Sequence, residues 1–330
     1  MNRRSLCLAS MVLVILSFLS LGSELTVVRI ALDWTPNTNH TGIYVAKELG
    51  FFAEEGLAVK VIEPGPTVAV HLVAAGRSEF GISMQEEITM ARAQGIPVVS
   101  VAPIWQQNTS GFAAPKEAGI ESARDFEHKR YGGWGQDLEQ VMLRTAMEME
   151  GADFDTVTMV NIGVTSFTTA IRRNLADFFW IFYGWSGIHA RLEGIEFTFL
   201  PLIEMAEVFD YYTPLIMVSE KLIETEPELI RRFVRAVRRG YIYSILNPDS
   251  AAEILLRFVP ELDRELVIAS QRWLAEEARD DVDRWGWQES VVWARFADWA
   301  LENGLIDTAI DPEAAFTTAF LPDKEDPAEW

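Results

Sequence analysis

The sequence predicts an α/β protein of two lobes, joined by two crossings of the chain, with a ligand cleft between the lobes. Three observations indicate this class. The chain has 330 residues, 49% of them hydrophobic, which is enough for two cores. Strand-like and helix-like runs alternate up to Ile104, and the alternation starts again near Ile120. The run Asp210–Glu220 then indicates a return to the first unit, and the remainder is mostly helical.

The first unit contains four predicted strands with predicted helices between them. The strands are Thr26–Leu32, Ala58–Glu63, Glu79–Ser83 and Val98–Ile104, and the helices are Ile43–Glu55, Val68–Ala75 and Glu86–Gln94. This alternation predicts a parallel sheet covered by helices. Ligands of open sheets of this kind lie beyond the carboxyl ends of the strands. The loops that begin at Trp34, Ser83 and Trp105 are therefore candidate ligand loops.

The second unit repeats the alternation and is followed by a helical C-terminal third. Its predicted strands are Lys129–Tyr131, Thr156–Asn161, Ala176–Gly187 and Phe197–Pro201, and its predicted helices run from the glycine-rich turn Gly132–Gln140 to near Glu150 and over Phe167–Arg173. The later helices are predicted at Pro227–Leu246, Ser250–Phe258, Arg264–Arg279 and Gln288–Glu302. With crossings near Ala114-Pro115 and Tyr212-Thr213-Pro214, residues 23–117 and 216–330 form one predicted lobe and residues 118–215 the other.

The N-terminus has the pattern of a secretory signal. Two arginines precede an apolar run, Leu8 to Leu21, that is short for a membrane span, and Ser20-Leu21-Gly22 supplies small residues for cleavage. Residues 1–22 are therefore predicted to be a cleaved signal peptide, with an uncleaved membrane anchor as the alternative. The one cysteine, Cys7, precedes the apolar run, so it cannot carry the lipid of a lipoprotein. A periplasmic location is predicted.

Charge and residue content exclude several classes of function. The net charge of −21 disfavours nucleic acid and anionic membranes as partners. Beyond Cys7 the chain offers no thiol nucleophile, and its four histidines lack metal-ligand spacing. Neither a Ser-His-Asp elbow nor a phosphate loop occurs. We therefore expect no catalytic residue, no cofactor and no metal, and we expect a monomer.

Aromatic and neutral polar side chains follow several of the predicted strands. The loop Asp33–Gly42 places a tryptophan beside asparagines, threonines and a histidine, which suits a flat polar ring. Trp34 could instead pack on the next helix. Because side chains alternate along a strand, Phe182 and Trp185 could each face either the core or the ligand. The candidate ligand-binding residues are Trp34, Asn39, His40, Gln85, Gln107, Gly133, Trp134, Phe182, Tyr183, Trp185 and Ser186.

Four aromatic-rich segments resemble the thiamine-pyrimidine branch of the solute-binding proteins of ABC importers. They are Asp33–Gly42, Tyr131–Gly135, Trp180–Trp185 and Asp210–Pro214, and they occur in matching order. That branch includes formylaminopyrimidine-binding and riboflavin-binding proteins and a yeast-type enzyme that makes the thiamine pyrimidine. The resemblance implies a type II periplasmic-binding-protein fold that closes on its ligand and docks on an ABC permease.

The third of these segments departs from the family pattern at two positions. The formylaminopyrimidine binders carry Trp-Ile-Tyr-Tyr-Gly-Trp-Glu, in which the first tyrosine stacks on the ring and the glutamate pairs with the aminopyrimidine. Phe182 and Ser186 stand at those positions here, and a hydroxyl cannot supply a charge-assisted pair. The predicted polar lining is neutral, which matches the imide edge and the sugar-alcohol chain of riboflavin. Riboflavin is therefore the predicted ligand, and a thiamine pyrimidine is the alternative.

The enzyme of the same branch is the alternative from another class. It is similar in fold but uses pyridoxal phosphate and an iron site associated with a cysteine-rich motif. The chain has no cysteine after Cys7. The sequence therefore favours a binding protein over a pyrimidine synthase.

Overall fold

The described residues form two five-stranded sheets covered by helices. The computed structural model describes residues 24–65 and 68–322, so the predicted signal peptide lies outside the described residues. The strands are β1 (Thr26–Ala31), β2 (Leu57–Ile62), β3 (Phe80–Ser83), β4 (Val98–Pro103), β5 (Ser110–Pro115), β6 (Arg130–Gly133), β7 (Thr158–Asn161), β8 (Phe178–Phe182), β9 (Phe197–Pro201) and β10 (Leu215–Ser219). The predicted α/β class is confirmed.

Helices follow most of the strands. They are α1 (Thr41–Glu48), α2 (Phe51–Glu54), α3 (Ala69–Ala74), α4 (Gln85–Ala93), α5 (Asp137–Met149), α6 (Phe167–Arg172), α7 (Ile188–Leu192), α8 (Leu202–Met205), α9 (Glu220–Thr225), α10 (Pro227–Leu246), α11 (Pro248–Phe258), α12 (Arg264–Glu277) and α13 (Ser290–Glu302). In the described part of the chain, none of them is long and apolar enough to cross a membrane.

Two predicted elements are divided in the structure. The predicted helix 43–55 is formed by α1 and α2, which are separated at Leu49 and Gly50. The predicted strand 176–187 ends at Phe182 and continues as a π-helical turn over Tyr183–Gly187. We call this turn the junction turn. It directly precedes α7.

Each sheet has four strands that run in one direction and one strand that is reversed. The first sheet has the order β2-β1-β3-β10-β4, and the second has the order β7-β6-β8-β5-β9. In the first sheet β10 is antiparallel to both of its neighbours, whereas β1 pairs in parallel with β2 and β3. In the second sheet β5 is antiparallel to both of its neighbours, whereas β6 pairs in parallel with β7 and β8. The four remaining strands of each sheet therefore end at one edge, the carboxyl edge.

The chain crosses between the sheets at these two edges. The first crossing leaves β4 and enters β5 at Ser110, which lies opposite Phe182, the last residue of β8. The second crossing enters β10 at Leu215, which lies opposite Ser83 at the end of β3 and Pro103 at the end of β4. Both connections thus join carboxyl edge to carboxyl edge. The loops that follow the parallel strands of the two sheets gather at this junction.

The strand β5 corrects the predicted first crossing. The sequence predicts residues 110–115 in the first lobe, but they pair with β8 and β9 in the second sheet. The sheets change between Pro103 and Ser110, not near Ala114-Pro115. The segment Ser-Gly-Phe-Ala-Ala-Pro lacks the β-branched residues that indicate a strand, and a Cβ on Gly111 would meet the carbonyl oxygen of Leu200 at 2.4 Å. The wider division into 23–117 plus 216–330 and 118–215 stays a prediction.

Helix α13 contributes to the cores of both sheets. Trp293 is fully buried in a cluster with Leu215 and Met217 of β10. Phe296 and Trp299, one and two turns further along, are buried in the cluster of the second sheet. The indole Nε1 of Trp299 donates a hydrogen bond of 3.1 Å to Thr145 Oγ1 on α5. One amphipathic helix therefore packs against both sheets.

Candidate ligand site at the carboxyl edges

The loop after β1 is fixed by a buried histidine. The imidazole Nδ1 of His40 accepts from the backbone N–H of Asn37 at 3.2 Å, so Nε2 carries the proton and donates to Asp33 Oδ1 at 2.8 Å. The side chain of Asn37 accepts from the backbone N–H of Asn39 at 2.9 Å. His40 is fully buried, whereas the side chain of Trp34 is 49% exposed at the edge. The loop is ordered from within and presents its tryptophan outward.

Asn39 connects this loop to the first crossing. Its Oδ1 accepts from the indole Nε1 of Trp105 at 2.8 Å, and its backbone carbonyl accepts from the hydroxyl of Tyr241 at 2.8 Å. Trp105 and Tyr241 are both buried and meet edge to face, with 6.1 Å between ring centroids. The amide oxygen of Asn39, a candidate ligand contact, is therefore hydrogen-bonded to Trp105 within the protein.

Gln85 holds the second crossing. It is fully buried; its Oε1 accepts from the backbone N–H of Tyr212 at 3.0 Å, and its Nε2 donates to the carbonyl of Val292 at 3.2 Å. Both polar atoms are engaged within the chain, so the structure gives this side chain a supporting position behind the edge. Gln107, on the first crossing, is exposed.

Two carboxylates lie at the first edge, where the sequence analysis expected a neutral lining. Ser83 Oγ donates to Glu87 Oε2 at 2.6 Å. Burial raises the pKa of Glu87, and the nearby charge of Asp33 raises it further, while the hydrogen bond from Ser83 lowers it. Sequence reasoning missed this group, although its position, one turn into the helix that follows β3, was a usable signal. Polar recognition at this edge can therefore include an acid.

At the second edge, Glu139 organises the loop that carries Trp134. The backbone N–H groups of Trp134, Gly135 and Gln136 all donate to its carboxylate at 2.9–3.0 Å, and the hydroxyl of Tyr131 donates at 3.1 Å. Glu139 is only 1% exposed. These donors satisfy the oxygens of the buried carboxylate within the chain. The amides of the glycine-rich turn are therefore occupied by the protein itself.

The surface beside this loop is aromatic. The ring of Trp134 lies 5.7 Å from that of Trp180, and Trp180 lies 6.3 Å from Phe182 in a stacked orientation. Trp134 and Phe182 are partly exposed, whereas Gly133 and Trp180 are buried. The indole Nε1 of Trp180 is buried and has no hydrogen-bond partner among the described residues. We call Trp134, Trp180 and Phe182 the aromatic wall.

The junction turn places the other predicted aromatics against the first sheet's helices. Tyr183 packs on Trp273 of α12 with 4.9 Å between ring centroids. Trp185 packs on a cluster that includes Tyr44 of α1. Ser186 is partly buried. Of the candidates on this turn, Tyr183 and Trp185 therefore have neighbours in the other half of the molecule.

A cavity of about 450 Å³ is lined by the first crossing, the end of β9, α12 and Tyr183 of the junction turn. Gln107 belongs to this lining, as do the carboxylates Glu204 and Glu277 and the guanidinium of Arg191. The aromatic wall and Trp34 do not. The structure therefore separates the predicted residues: Trp34 lies at the first edge, Trp134 and Phe182 at the second, and Gln107 and Tyr183 at this cavity. The described residues contain no group of three or more His, Cys, Asp or Glu that could hold a metal ion.

The fold is that of the periplasmic binding proteins. The chain is similar to the periplasmic aliphatic sulphonate binding protein SsuA of Escherichia coli, with a TM-score of 0.66 at 15% identity over 88% of this chain and 91% of that one. Residues 37–251, well over half of the chain, match the family described as NMT1/THI5 like. The chain belongs to the NMT1/THI5-like family. This confirms the resemblance and the predicted periplasmic-binding-protein fold.

Curated relatives of similar length carry two kinds of name. The chain is 27% identical to the formylaminopyrimidine-binding protein of Halalkalibacterium halodurans over 89% of this chain and 90% of that one. It is 28% identical to the riboflavin-binding protein RibY of Chloroflexus aurantiacus over 89% and 86%. It is also 27% identical to a 4-amino-5-hydroxymethyl-2-methylpyrimidine phosphate synthase of Legionella pneumophila over 90% and 92%. Proteins named as binding proteins and a protein named as an enzyme are thus similar in sequence to this chain.

Proposed function

We propose that this chain is the periplasmic substrate-binding protein of an ABC importer, which captures a flat heteroaromatic vitamin and delivers it to a membrane permease. One observation carries the proposal. Partly exposed large aromatic side chains stand at both carboxyl edges, Trp34 at the first and Trp134 with Phe182 at the second. Aromatic surfaces on two sides of a junction suit a planar ring, since offset stacking adds to the burial of apolar area. The relatives named as binding proteins support this class.

Riboflavin is the ligand that we propose first. Ser186 stands where the aminopyrimidine binders carry a carboxylate, and Phe182 stands where they carry a tyrosine. Trp134 and Phe182, the partly exposed members of the aromatic wall, offer two rings where a single pyrimidine needs one. Riboflavin, with a three-ring system and a neutral imide edge, uses such a surface fully.

The test is a titration of the purified exported protein with riboflavin, followed by tryptophan emission and by flavin emission. Stacking on Trp34 or Trp134 should quench both signals together at a single stoichiometric site. A titration in which riboflavin leaves both signals unchanged, while formylaminopyrimidine binds, would overturn the choice of riboflavin.

A thiamine pyrimidine is the second candidate, and the acids at the first edge favour it. Asp33 lies at that edge with Glu87, whose pKa is raised by burial. A carboxylate can accept from an exocyclic amine and a protonated ring nitrogen. If this pair replaces the missing glutamate at position 186, formylaminopyrimidine should bind and Glu87→Gln should weaken it, whereas riboflavin binding should change little.

A binding protein is preferred to an enzyme, although synthases are among the relatives. Those enzymes are chemically distinguishable from a binder by a simple experiment. Pyridoxal phosphate added to the protein should give neither a Schiff-base absorbance band nor turnover. Either signal would reverse the preference.

A further inference from the structure

Three consecutive residues of the junction turn contact the opposite half of the molecule. Tyr183 packs on Trp273, the carbonyl of Gly184 accepts from Ser270 Oγ, and Trp185 packs in the cluster of α1 and α11. Ser270 and Trp273 lie on α12, which belongs with the helices of the first sheet because its Leu274 is buried in that core. The residues on either side of these three, Phe182 and Ser186, are predicted ligand contacts.

A buried chain of hydroxyl groups completes the contact. Thr38 Oγ1 lies 2.6 Å from Ser270 Oγ. Ser270 has one hydroxyl proton, and a carbonyl can only accept, so that proton goes to Gly184 and Thr38 must donate to Ser270. Thr38 is 1% exposed and Ser270 is fully buried. Hydrogen bonds in series, away from water, strengthen one another.

The close approach depends on glycine at position 184. A Cβ there would meet Trp273 Cζ3 at 2.9 Å and Leu274 Cδ2 at 3.0 Å. Any other residue would have to displace the ring of Trp273 and the methyl group of Leu274 on α12. The sequence thus combines a small residue on the turn with a serine and a tryptophan one turn apart on the facing helix face.

We propose that Ser270 and Trp273 are positioning residues for the ligand site. Through Thr38 they hold the loop that carries Trp34, and through Gly184 they hold the turn beside Phe182 and Ser186, so the contact sets the spacing of the two walls when the lobes are together. Ligand capture then requires this three-part contact, although neither α12 residue belongs to the aromatic wall. The effect on affinity rests on the proposed function, whereas the effect on the spacing of the lobes does not.

The experiment compares Ser270→Ala with Ser244→Ala. Ser244 is also fully buried on a helix, and its Oγ donates to the carbonyl of Gly240 within the same helix. Both variants lose one buried hydroxyl, but only Ser270→Ala separates the two halves. Gly184→Ala gives the same test from the other side of the contact.

Two readouts are needed. The first is the distance between spin labels on Lys60→Cys and Met149→Cys, two exposed positions on β2 and α5, in a Cys7→Ser background. Ser270→Ala and Gly184→Ala should lengthen or broaden the distance distribution, and Ser244→Ala should leave it as in the wild type. The second is the affinity for riboflavin, which Ser270→Ala should weaken by about tenfold, as expected for the loss of one buried hydrogen bond with an unpaired group left behind.

The outcomes separate the two proposals. Unchanged distances in both Ser270→Ala and Gly184→Ala would overturn the positioning role. Riboflavin binding in the wild type with undiminished affinity in Ser270→Ala would also overturn it, and would leave the proposed function standing. If the variants alter the distances but the wild type binds neither riboflavin nor formylaminopyrimidine, the positioning role stands and the proposed function is overturned.

Discussion

Glu86 and Glu139 are two buried acids at the starts of helices, one beside each sheet, and their surroundings are opposite. Each lies in the first turn of the helix that follows a parallel strand, α4 after β3 and α5 after β6. Each is buried, with 4% and 1% of the residue exposed. Glu139 accepts from three backbone N–H groups and the hydroxyl of Tyr131. Glu86 Oε2 has no hydrogen-bond partner among the described residues.

The difference illustrates how hydrogen-bond donors offset the cost of burying a carboxylate. Burial raises the pKa of Glu86 to about 8, and the neighbouring charge of Glu87 contributes. Glu86 also lies at a helix N-terminus, so this position alone does not prevent the rise of its pKa. Its Oε2 lacks the hydrogen-bond donors that favour a charged carboxylate. The carboxylate of Glu139 thus organises a loop, whereas the pKa of the buried Glu86 lies above neutral pH.

Removal of the Glu139 carboxylate should have the largest effect. Glu139→Ala leaves the N–H groups of the loop 134–136 without an acceptor, so we expect the free energy of unfolding to fall by about 3 kcal/mol or more. Urea denaturation measures it. Glu148→Ala, at an exposed position on the same helix, is the control and should change stability little. Equal effects of the two substitutions would contradict the role given to the carboxylate.

Glu86 should make stability depend on pH in the opposite sense to a paired carboxylate. Its folded pKa of about 8 lies above the unfolded value of 4.5, so between these values the folded state holds a proton that the unfolded state has lost. Stability then falls as pH rises, by up to about 1.4 kcal/mol per pH unit for this group. Glu86→Gln should remove this component and stabilise the protein at pH 8. Denaturation curves from pH 5 to 8 test it, with the exposed Glu117→Gln as control. An unchanged slope in Glu86→Gln would show that the acid is ionised in the folded state.

The two edges should also differ in their contribution to ligand affinity. Trp134→Ala removes a ring from the aromatic wall, and we expect it to weaken riboflavin binding by about 2 kcal/mol, from lost burial and stacking. Trp34→Ala, at the hydrogen-bonded first edge, should cost less, about 1 kcal/mol. Calorimetric titration of both variants gives the ranking. A larger loss for Trp34→Ala would reverse the assignment of the main stacking surface.

The last prediction concerns specificity. Ser186→Glu restores the acid of the aminopyrimidine binders beside the aromatic wall, so formylaminopyrimidine affinity should rise by about tenfold, as for one charge-assisted hydrogen bond. Riboflavin affinity should fall. Competition between the two ligands on the wild type and the variant measures the shift. Ser186→Gln, which adds length without charge, should not produce it.

The sequence allowed prediction of elements whose own residues dominate their packing. The apolar runs at β1, β4 and β8 predict strands, and α10 and α12 were predicted to within two residues of their ends. β5 was not predictable in this way, because its small residues fit the strand only through their partners on β8 and β9. Its place in the second sheet is a property of the pairing and not of the segment.

The residues of the candidate site likewise fall into those that could be predicted from sequence and those that could not. Trp34 and Trp134 could be proposed from sequence because a large aromatic just beyond a strand end lies at a carboxyl edge. Gln85 has the same polar character as an edge residue, but it turns inward to Tyr212 and Val292. The contacts of Tyr183 and Trp185 depend on where α12 and α1 pack. No local pattern contains that information.

Helix α13 has a consequence for the modularity of the molecule. Its first turns are buried with β10 and its last turns with the second sheet. If relatives exchanged segments cut only at the two crossings, the second sheet would lose the part of its core that α13 supplies. Trp299 would then face a foreign α5, and its hydrogen bond to Thr145 would be lost. We therefore expect a transplanted second lobe to fold well only when α13 is transplanted with it. The unit that folds together then consists of two separate stretches of the chain.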